Sequence, residues 1–324
     1  MYKFFIFLLL FPVVLSAQDL NLTQFYLTPA YSNPAFTGTT PHYRLAFHNR
    51  TQWYNLAPAP QRQFASFEYN FVTFNGGLGA HLQRRSLGAS SRWQTIEARV
   101  AYAQRIYINP RWIIGAGLEL VYANGSMSQG DLVFEDQLLS GNPTQEMLPT
   151  DRASYADINF GLTIYNKQFY GGVAVANLLK PKVEAFGAVL NQLERSFLIQ
   201  SGYKLEVGYG HALSPALFFK YQKSFYQMDI GANWEYEGVF AGLWYRGVPF
   251  LSGGVENAVN QDALALTLGA RVSEYITMAF SHDFSVAQYS DLGGSFELSL
   301  IISPRYDRRG LIGTHDILCP IGLK

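Results

Sequence analysis

Tyr155-Ala156-Asp157-Ile158-Asn159-Phe160-Gly161-Leu162-Thr163-Ile164 alternates at every step between two sets of side chains. Tyr155, Asp157, Asn159, Gly161 and Thr163 form one set, and Ala156, Ile158, Phe160, Leu162 and Ile164 the other. A period of two sends the sets to opposite faces of a β-strand. One face is apolar. The other is small or polar, with scattered charge rather than the Lys and Glu that a solvent-facing sheet surface carries. That pairing suits a strand with lipid on one side and a wet lumen on the other.

The same pattern runs outward from this stretch. Thr95, Glu97, Arg99 and Ala101 alternate with Ile96, Ala98, Val100 and Tyr102, and Ser295, Glu297 and Ser299 with Phe296, Leu298, Leu300 and Ile302. Leu264, Leu266 and Leu268 alternate with Ala263, Ala265 and Thr267. About fourteen segments are long enough to cross a bilayer at a barrel's tilt. They are 43–53, 61–71, 76–86, 93–105, 110–122, 155–165, 167–176, 196–206, 213–222, 225–235, 238–246, 261–271, 274–283 and 293–302.

The connections give an independent check, because such barrels alternate short periplasmic turns with longer outer loops. From a periplasmic N-terminus, the tight connections at 71–75, 106–109, 165–167, 235–238 and 272–273 fall on the periplasmic side. The long ones, 123–154, 177–195 and 247–259, fall outside. The connections at 207–212 and 223–224 break the rule. Aromatic residues gather where strands end, at Trp53, Tyr54, Trp93, Trp112, Trp234, Trp244, Tyr245 and Tyr306, as interfacial girdles do. Some can instead fill the lumen.

Composition agrees. Charged residues make up 15% of the chain against a usual quarter, whereas aromatic residues also reach 15% and there are 29 glycines. A net charge of zero gives no pointer to nucleic acid or to an anionic surface. Met1-Tyr2-Lys3, the apolar run Phe4–Leu15 and Ser16-Ala17 have the order of a secretory signal peptide, with cleavage expected after Ala17. The apolar run is shorter than the roughly 20 residues of a spanning helix. No Cys follows it that would make a lipoprotein.

The expected fold is therefore all-β: a transmembrane antiparallel up-and-down β-barrel of about 14 strands behind an N-terminal signal peptide. Residues 1–17 are the signal peptide, 18–41 an N-terminal periplasmic or lumen segment, 42–302 the outer-membrane barrel and 303–324 a C-terminal periplasmic tail. The lone Cys319 has no internal disulfide partner, so it is either a free thiol or pairs with a partner's thiol.

A search for chemistry finds no catalytic residue, cofactor site or metal site. The six His, at 42, 48, 81, 211, 282 and 315, lack ligand spacing. The Gly pairs 77/79 and 115/117 are strand glycines that relieve crowding inside the barrel. His282-Asp283 at a strand end is the best candidate for an outer-membrane hydrolase, but adjacent strand residues face opposite ways. Arg44, Arg50, Glu68, Arg85, Glu97, Arg99, Glu119, Asp157, Asp229, Glu235 and Glu297 all fall on the inward face, where cross-lumen pairing would narrow or block a pore.

Before the first strand stands Tyr31-Ser32-Asn33-Pro34-Ala35-Phe36-Thr37-Gly38, followed by Arg50-Thr51-Gln52-Trp53 and Pro58-Ala59-Pro60. Further on come Asn159-Phe160-Gly161, Phe169-Tyr170-Gly171-Gly172-Val173, Asn177-Leu178, Gly202-Tyr203, Gly242-Leu243-Trp244-Tyr245-Arg246 and Gly293-Gly294-Ser295-Phe296-Glu297-Leu298-Ser299-Leu300. In this order they resemble the NPAxxG, R-N-Q-W and closing G-G-S-H-E-I-S-L motifs of the PorP/SprF family of the Bacteroidetes. Thr51 and Phe296 depart from its usual Asn and His.

The resemblance implies an outer-membrane component of type IX secretion, a system tied to protein secretion and gliding motility. Such a component assists export or surface retention of a large adhesin or other sorting-domain substrate and contacts a periplasmic, peptidoglycan-linked protein. It makes Asn33, Pro34, Ala35, Phe36, Gly38, Arg50, Gln52 and Trp53 candidate motif and partner-contact residues. Asn33-Pro34 fixes a turn, and Gly38 permits a backbone that other residues resist, so this segment is able to fold under or into the barrel. Loops 123–154 and 177–195 are expected to meet the secreted partner. The tail, with Arg305, Arg308, Arg309 and Cys319, is expected to meet the periplasmic one. A passive porin or small-solute channel is the alternative that the same composition supports, and an outer-membrane hydrolase is the third.

Overall fold

The structure is a computed structural model that describes residues 21–40, 42–87, 93–127, 138, 152–185, 188–223, 225–247, 263–286 and 290–304. The expected signal peptide 1–17, most of loops 123–154 and 247–259, and Arg305, Arg308, Arg309 and Cys319 lie outside these residues.

The barrel strands are β1 (Tyr43–Gln52), β2 (Gln61–Phe71), β3 (Gly76–Leu87), β4 (Trp93–Asn109), β5 (Trp112–Met127), β6 (Arg152–Tyr165) and β7 (Phe169–Ala176). They continue as β10 (Ser196–Tyr203), β11 (Leu205–Glu206), β12 (His211–Gln222), β13 (Phe225–Tyr236), β14 (Val239–Arg246), β15 (Ala263–Arg271), β16 (Ile276–Ser285) and β17 (Ser295–Ile302). From β1 to β7 and from β11 to β17 each strand pairs antiparallel with the next, β7 pairs with β10, β10 with β12, and β17 with β1. β10 and β11 lie along the same side of β12 and form one stave, so the cylinder closes on fourteen. Between β7 and β10, β8 (Lys182–Ala185) and β9 (Ala188–Gln192) make a separate hairpin at the long-loop end.

Closure follows from the alternation. In hydrocarbon every backbone N–H and C=O needs a partner, and a sheet achieves this only when its two edges meet. Outward residues such as Val100, Leu118, Leu120, Leu266 and Phe280 are exposed, whereas their strand neighbours are buried inside. Among the described residues no helix is long and apolar enough to cross a membrane.

All fourteen expected segments are strands. The differences lie at their ends: β4 runs on to Asn109, leaving a turn at Pro110-Arg111, β5 reaches Met127, and β6 starts at Arg152. At 17 residues, β4 is about 56 Å long, or roughly 43 Å along the barrel axis, against an apolar band of about 25 Å. The wall is thus tallest over β4–β6. Trp93 and Trp244, expected near a girdle, face inward: Trp244 is buried and Trp93 lines an inner cavity.

The lipid-facing assignment is testable at Leu120, which is 55% exposed in mid-strand. Leu120→Arg is expected to destabilise the barrel by about 2–4 kcal/mol in urea titrations in lipid, the cost of a cation near the bilayer midplane.

Candidate functional site

Residues 21–40 do not hang beneath the barrel but cross its interior. Three short 3-10 turns, η1 (Phe25–Leu27), η2 (Pro29–Tyr31) and η3 (Pro34–Phe36), compact the segment, and nearly all of it is buried. It begins near the β12–β13 turn at the long-loop end, where Asn21 Nδ2 donates to Gln227 Oε1 (2.5 Å) and Lys220 Nζ donates to Asn21 Oδ1 (3.2 Å). It ends at the short-turn end, where Arg105 donates to the Gly38 carbonyl (2.7 Å) and to Asn70 Oδ1.

The plug rests in a trough of small residues. Gly77, Ala103, Gly117, Gly161 and Ala174 are cross-strand partners in one row over β3–β7. A Cβ at Gly117 would strike Ala35 N and the Pro34 carbonyl group, one at Gly161 would strike Asn33 Oδ1, and one at Gly77 would strike the Thr37 carbonyl. Gly79 and Gly172 flank the row, and a Cβ at either would come within 2.8 Å of Thr37 or Asn33.

Asn33 ties plug and wall together. Its Nδ2 donates to the Leu162 and Val173 carbonyls (3.2 Å each), and its Oδ1 accepts from Ala35 N–H (2.9 Å), capping η3. Pro34 follows at a position suited to the start of a turn. The Phe36 ring is fully buried and meets Tyr170 edge-on. Gly38 has φ +68°, a left-handed backbone, and a Cβ there would lie 2.6 Å from Gly77 Cα. Its N–H donates to Glu68 Oε2 (3.0 Å), while Arg44 binds Glu68 Oε1 (2.8 Å).

The other half of the plug answers the opposite wall. Glu297, fully buried, accepts from the backbone N–H of Thr23 (2.6 Å) and Gln24 (3.3 Å) and faces His48 Nδ1 at 3.1 Å. Thr23 Oγ1 donates to Asp283 and accepts from Arg50, which itself pairs with Asp283 at 2.7 Å. Arg246 joins Asp283 to Asp229, each at 3.1 Å. Below this lattice Tyr26 stacks on Trp244, with ring centres 5.3 Å apart and 8° between planes, and Phe25 packs on Phe218 and Trp244. A buried charge that loses its partner costs about 3–5 kcal/mol, so polar wall and plug hold one another in place.

A model of the type IX secretion system membrane protein PorP/SprF matches residues 14–302. The chain belongs to the PorP/SprF family. No curated protein matches it significantly. Among solved structures, it resembles Acinetobacter baumannii Omp33 at 7% identity and a TM-score of 0.48, over 83% of this chain and all of that one. It also resembles the toluene transporters TbuX of Ralstonia pickettii (9%, 0.46, over 86% and 93%) and TodX of P. putida (10%, 0.48, over 87% and 94%).

Of the family-motif residues, Asn33, Pro34, Ala35, Phe36 and Gly38 lie together against the trough, and Arg50 is buried in the lumen at the opposite wall, on Thr23 and Asp283. Gln52 and Trp53 sit apart from that cluster at the lip, where β1 leaves the wall and Trp53 adopts φ +51°. The inward charges expected from alternation are indeed lumenal. Sequence reasoning left out Arg62, Arg105, Lys204, Lys220 and Arg246, although each has the parity of an inward position. Arg62 and Arg99 approach the Tyr31 ring at 5.6 and 5.9 Å, clamping the residue that opens the plug's central motif. His282 and Asp283 part company: Asp283 is buried in the lumen, whereas His282 packs against Phe284 with ring centres 4.4 Å apart. Among the described residues no group of three His, Cys, Asp or Glu is placed for a metal ion.

A cavity of about 500 Å³ remains above the plug at the long-loop end, floored by Tyr31, Ser32 and Pro34. Arg85–Glu97 (3.0 Å) and Arg99–Glu119 (3.4 Å) pair along one side of it. At its rim Lys180 Nζ meets Glu194 Oε2 at 2.6 Å, closing the base of the β8–β9 hairpin. The Lys180 hydrogen bond holds the Glu194 carboxyl below its ordinary range. A depressed folded-state pKa means that this contribution is full at neutral pH and is lost as pH falls through the carboxylate range. Hydrogen exchange in 178–194 is therefore expected to speed up at acidic pH beyond the intrinsic trend, and Glu194→Gln should abolish that excess.

Two substitutions test the plug. Gly117→Val is expected to leave a heat-modifiable barrel while opening the plug to chymotrypsin at Phe25, Tyr26 and Tyr31. Asn33→Ala removes three hydrogen bonds and should weaken plug seating by about 2–3 kcal/mol. Unchanged protease resistance in both variants would contradict the seating described.

Proposed function

We propose that this protein is an outer-membrane partner of type IX secretion that assists export or surface attachment of a large substrate such as an adhesin, and that it works as a plugged scaffold rather than as a solute pore. One observation carries this reading: the family's N-terminal motif occupies the lumen, in a plug whose Thr23, Gln24 and Gly38 donate to the buried wall carboxylates Glu297, Asp283 and Glu68. A passive porin needs a wet, continuous path, and a small-solute channel needs a plug that yields.

In this reading the short-turn end faces the periplasm and the long-loop end the outside. The outer loops 123–154 and 177–195 meet the exported partner, supported by the 500 Å³ cavity that opens beside the second of them. The tail 303–324, with Arg305, Arg308, Arg309 and Cys319, contacts a periplasmic, peptidoglycan-linked protein. Cleavage after Ala17 leaves Gln18 only three residues from Asn21, which lies inside the barrel, so removal of the leader precedes plug seating.

The wild-type protein is expected to be nearly silent in planar bilayers and to co-purify from native membranes with secretion components, whereas a variant lacking 21–40 conducts ions. Steady wild-type conductance with no bound protein would replace this reading with the porin.

A further inference from the structure

Towards the long-loop end the outward side chains of β2–β6 change character. Ala65 gives way to Gln63 on β2, Leu82 to Arg84 on β3, Ile96 to Gln94 on β4, Tyr122 to Asn124 on β5, and Ala156 to Ser154 and then Arg152 on β6. Cross-strand register joins Gln63, Arg84, Ile96, Asn124 and Ser154 in one row, so the change runs across adjacent strands. On the opposite wall the outward residues at this end, Phe197, Tyr226, Leu264 and Phe284, are exposed and apolar or aromatic. At 14 residues, β6 is about 46 Å long, or roughly 35 Å along the barrel axis. Arg152 at its upper end therefore stands about 10 Å clear of an apolar band of about 25 Å.

This polar shelf is cationic. Arg84 and Arg152 are exposed on it, whereas the carboxylates of the same strands, Glu68, Glu97, Glu119 and Asp157, are buried on the lumenal side. Neighbours hold its polar groups in place: Arg84 Nη2 donates to Gln94 Oε1 (3.0 Å), and Asn124 Nδ2 donates to Ser154 Oγ (2.8 Å). Arg84 and Arg152 are three strands and two residues apart, about 16 Å between Cα atoms. That spacing suits two anionic groups carried on one broad head. In the next row down, Ala98 lies between the exposed Leu82 and Tyr122, which leaves a shallow groove in the apolar face. A guanidinium pairs bidentately with phosphate, and Gln, Asn and Ser both donate to and accept from hydroxyl groups. Whatever covers this surface passes from hydrocarbon to water within a few ångströms, as a lipid does at its head group.

We propose that this shelf binds a phosphorylated glycolipid of the outer leaflet. Its phosphates lie on Arg84 and Arg152, its sugar hydroxyls on Gln94, Asn124 and Ser154, and an acyl chain along the groove at Ala98. This rests on the outward placement of the long-loop end given above, and it is independent of which polypeptide the barrel helps to export. The bound lipid fixes the tall β4–β6 wall against the leaflet, because basic and hydrogen-bonding groups just beyond the apolar band recognise lipid head groups.

The test uses the full-length protein purified from its own outer membrane in mild detergent. Native mass spectrometry of the wild type is expected to show a phosphorylated glycolipid bound, and the delipidated protein is expected to take up lipid A from mixed micelles. Removing the phosphates of lipid A should weaken that uptake at least about tenfold, and so should the double variant Arg84→Gln/Arg152→Gln. Both substitutions change exposed side chains, so the double variant should keep heat-modifiable mobility. Lys223→Gln removes an exposed cation at the same end of the opposite wall and should leave uptake unchanged. Equal uptake of dephosphorylated lipid A, or full uptake by the folded double variant, would overturn the proposal. Competition by inorganic phosphate or by phosphatidylglycerol at equal concentration would overturn it too, since the shelf would then read charge alone. If a polypeptide rather than a lipid shields Arg84 and Arg152 from arginine-directed labelling in native membranes, the shelf belongs to a protein partner and the lipid assignment fails.

Discussion

A cylinder of fourteen strands encloses more space than its own side chains fill, and this wall points Arg50, Glu68, Glu97, Glu119, Asp229, Asp283 and Glu297 into that space. The constraint on everything else is that these charges, once out of water, need partners of fixed geometry. Pairing along the wall meets part of the need, as in Arg44–Glu68 and Arg246–Asp229. The plug backbone meets much of the rest. Glu297 is the clearest case: two successive plug N–H groups point at one buried carboxylate. An Ala at 297 would strand those two amides, whereas Arg50 would keep Asp283 and His48 would keep Thr28 and Ser299, so the penalty would fall chiefly on the plug.

Shape is matched to charge. The polar lattice lies on β1, β16 and β17, and the band of Gly and Ala crosses β3–β7, so the plug is held by hydrogen bonds on one side and seated by close backbone approach on the other. A larger side chain in the band would leave the barrel's outer face untouched while displacing Pro34 or Thr37. Strand glycines usually weaken a sheet, and here several in register create the groove that a non-repetitive segment needs.

The barrel was legible because alternation is imposed by lipid on one face, and that signal survives even where strand ends are blurred. Inward charges were legible by the same parity. The plug's path was not, because three 3-10 turns have no period and their contacts join positions more than a hundred residues apart, as between Asn33 and Val173. The alignment of Gly77, Gly117 and Gly161 depends on register across intervening turns, which composition does not reveal. Trp244 shows the limit most simply. Its position near a strand end suggests an interfacial anchor, yet it belongs to the inward set, and only the stacked Tyr26 shows what it is for.

A lumen filled in this way changes where function is able to reside. Charge pairs, aromatic stacking and the Asn33 bridge all stiffen the middle of the molecule, where a transporter would need a path that opens. Freedom is left at the ends, and the two ends differ. At the long-loop end β4–β6 rise beyond the apolar band, the ladder between β6 and β7 stops short, and a cavity lies directly beside the stop. Asp157 and Asn159 bring this about by capturing the amides of residues that would otherwise have continued the pairing. A barrel needing only closure would have let β7 follow β6 upward, so the break has a local cause in two side chains and turns the chain into the β8–β9 hairpin beside the cavity.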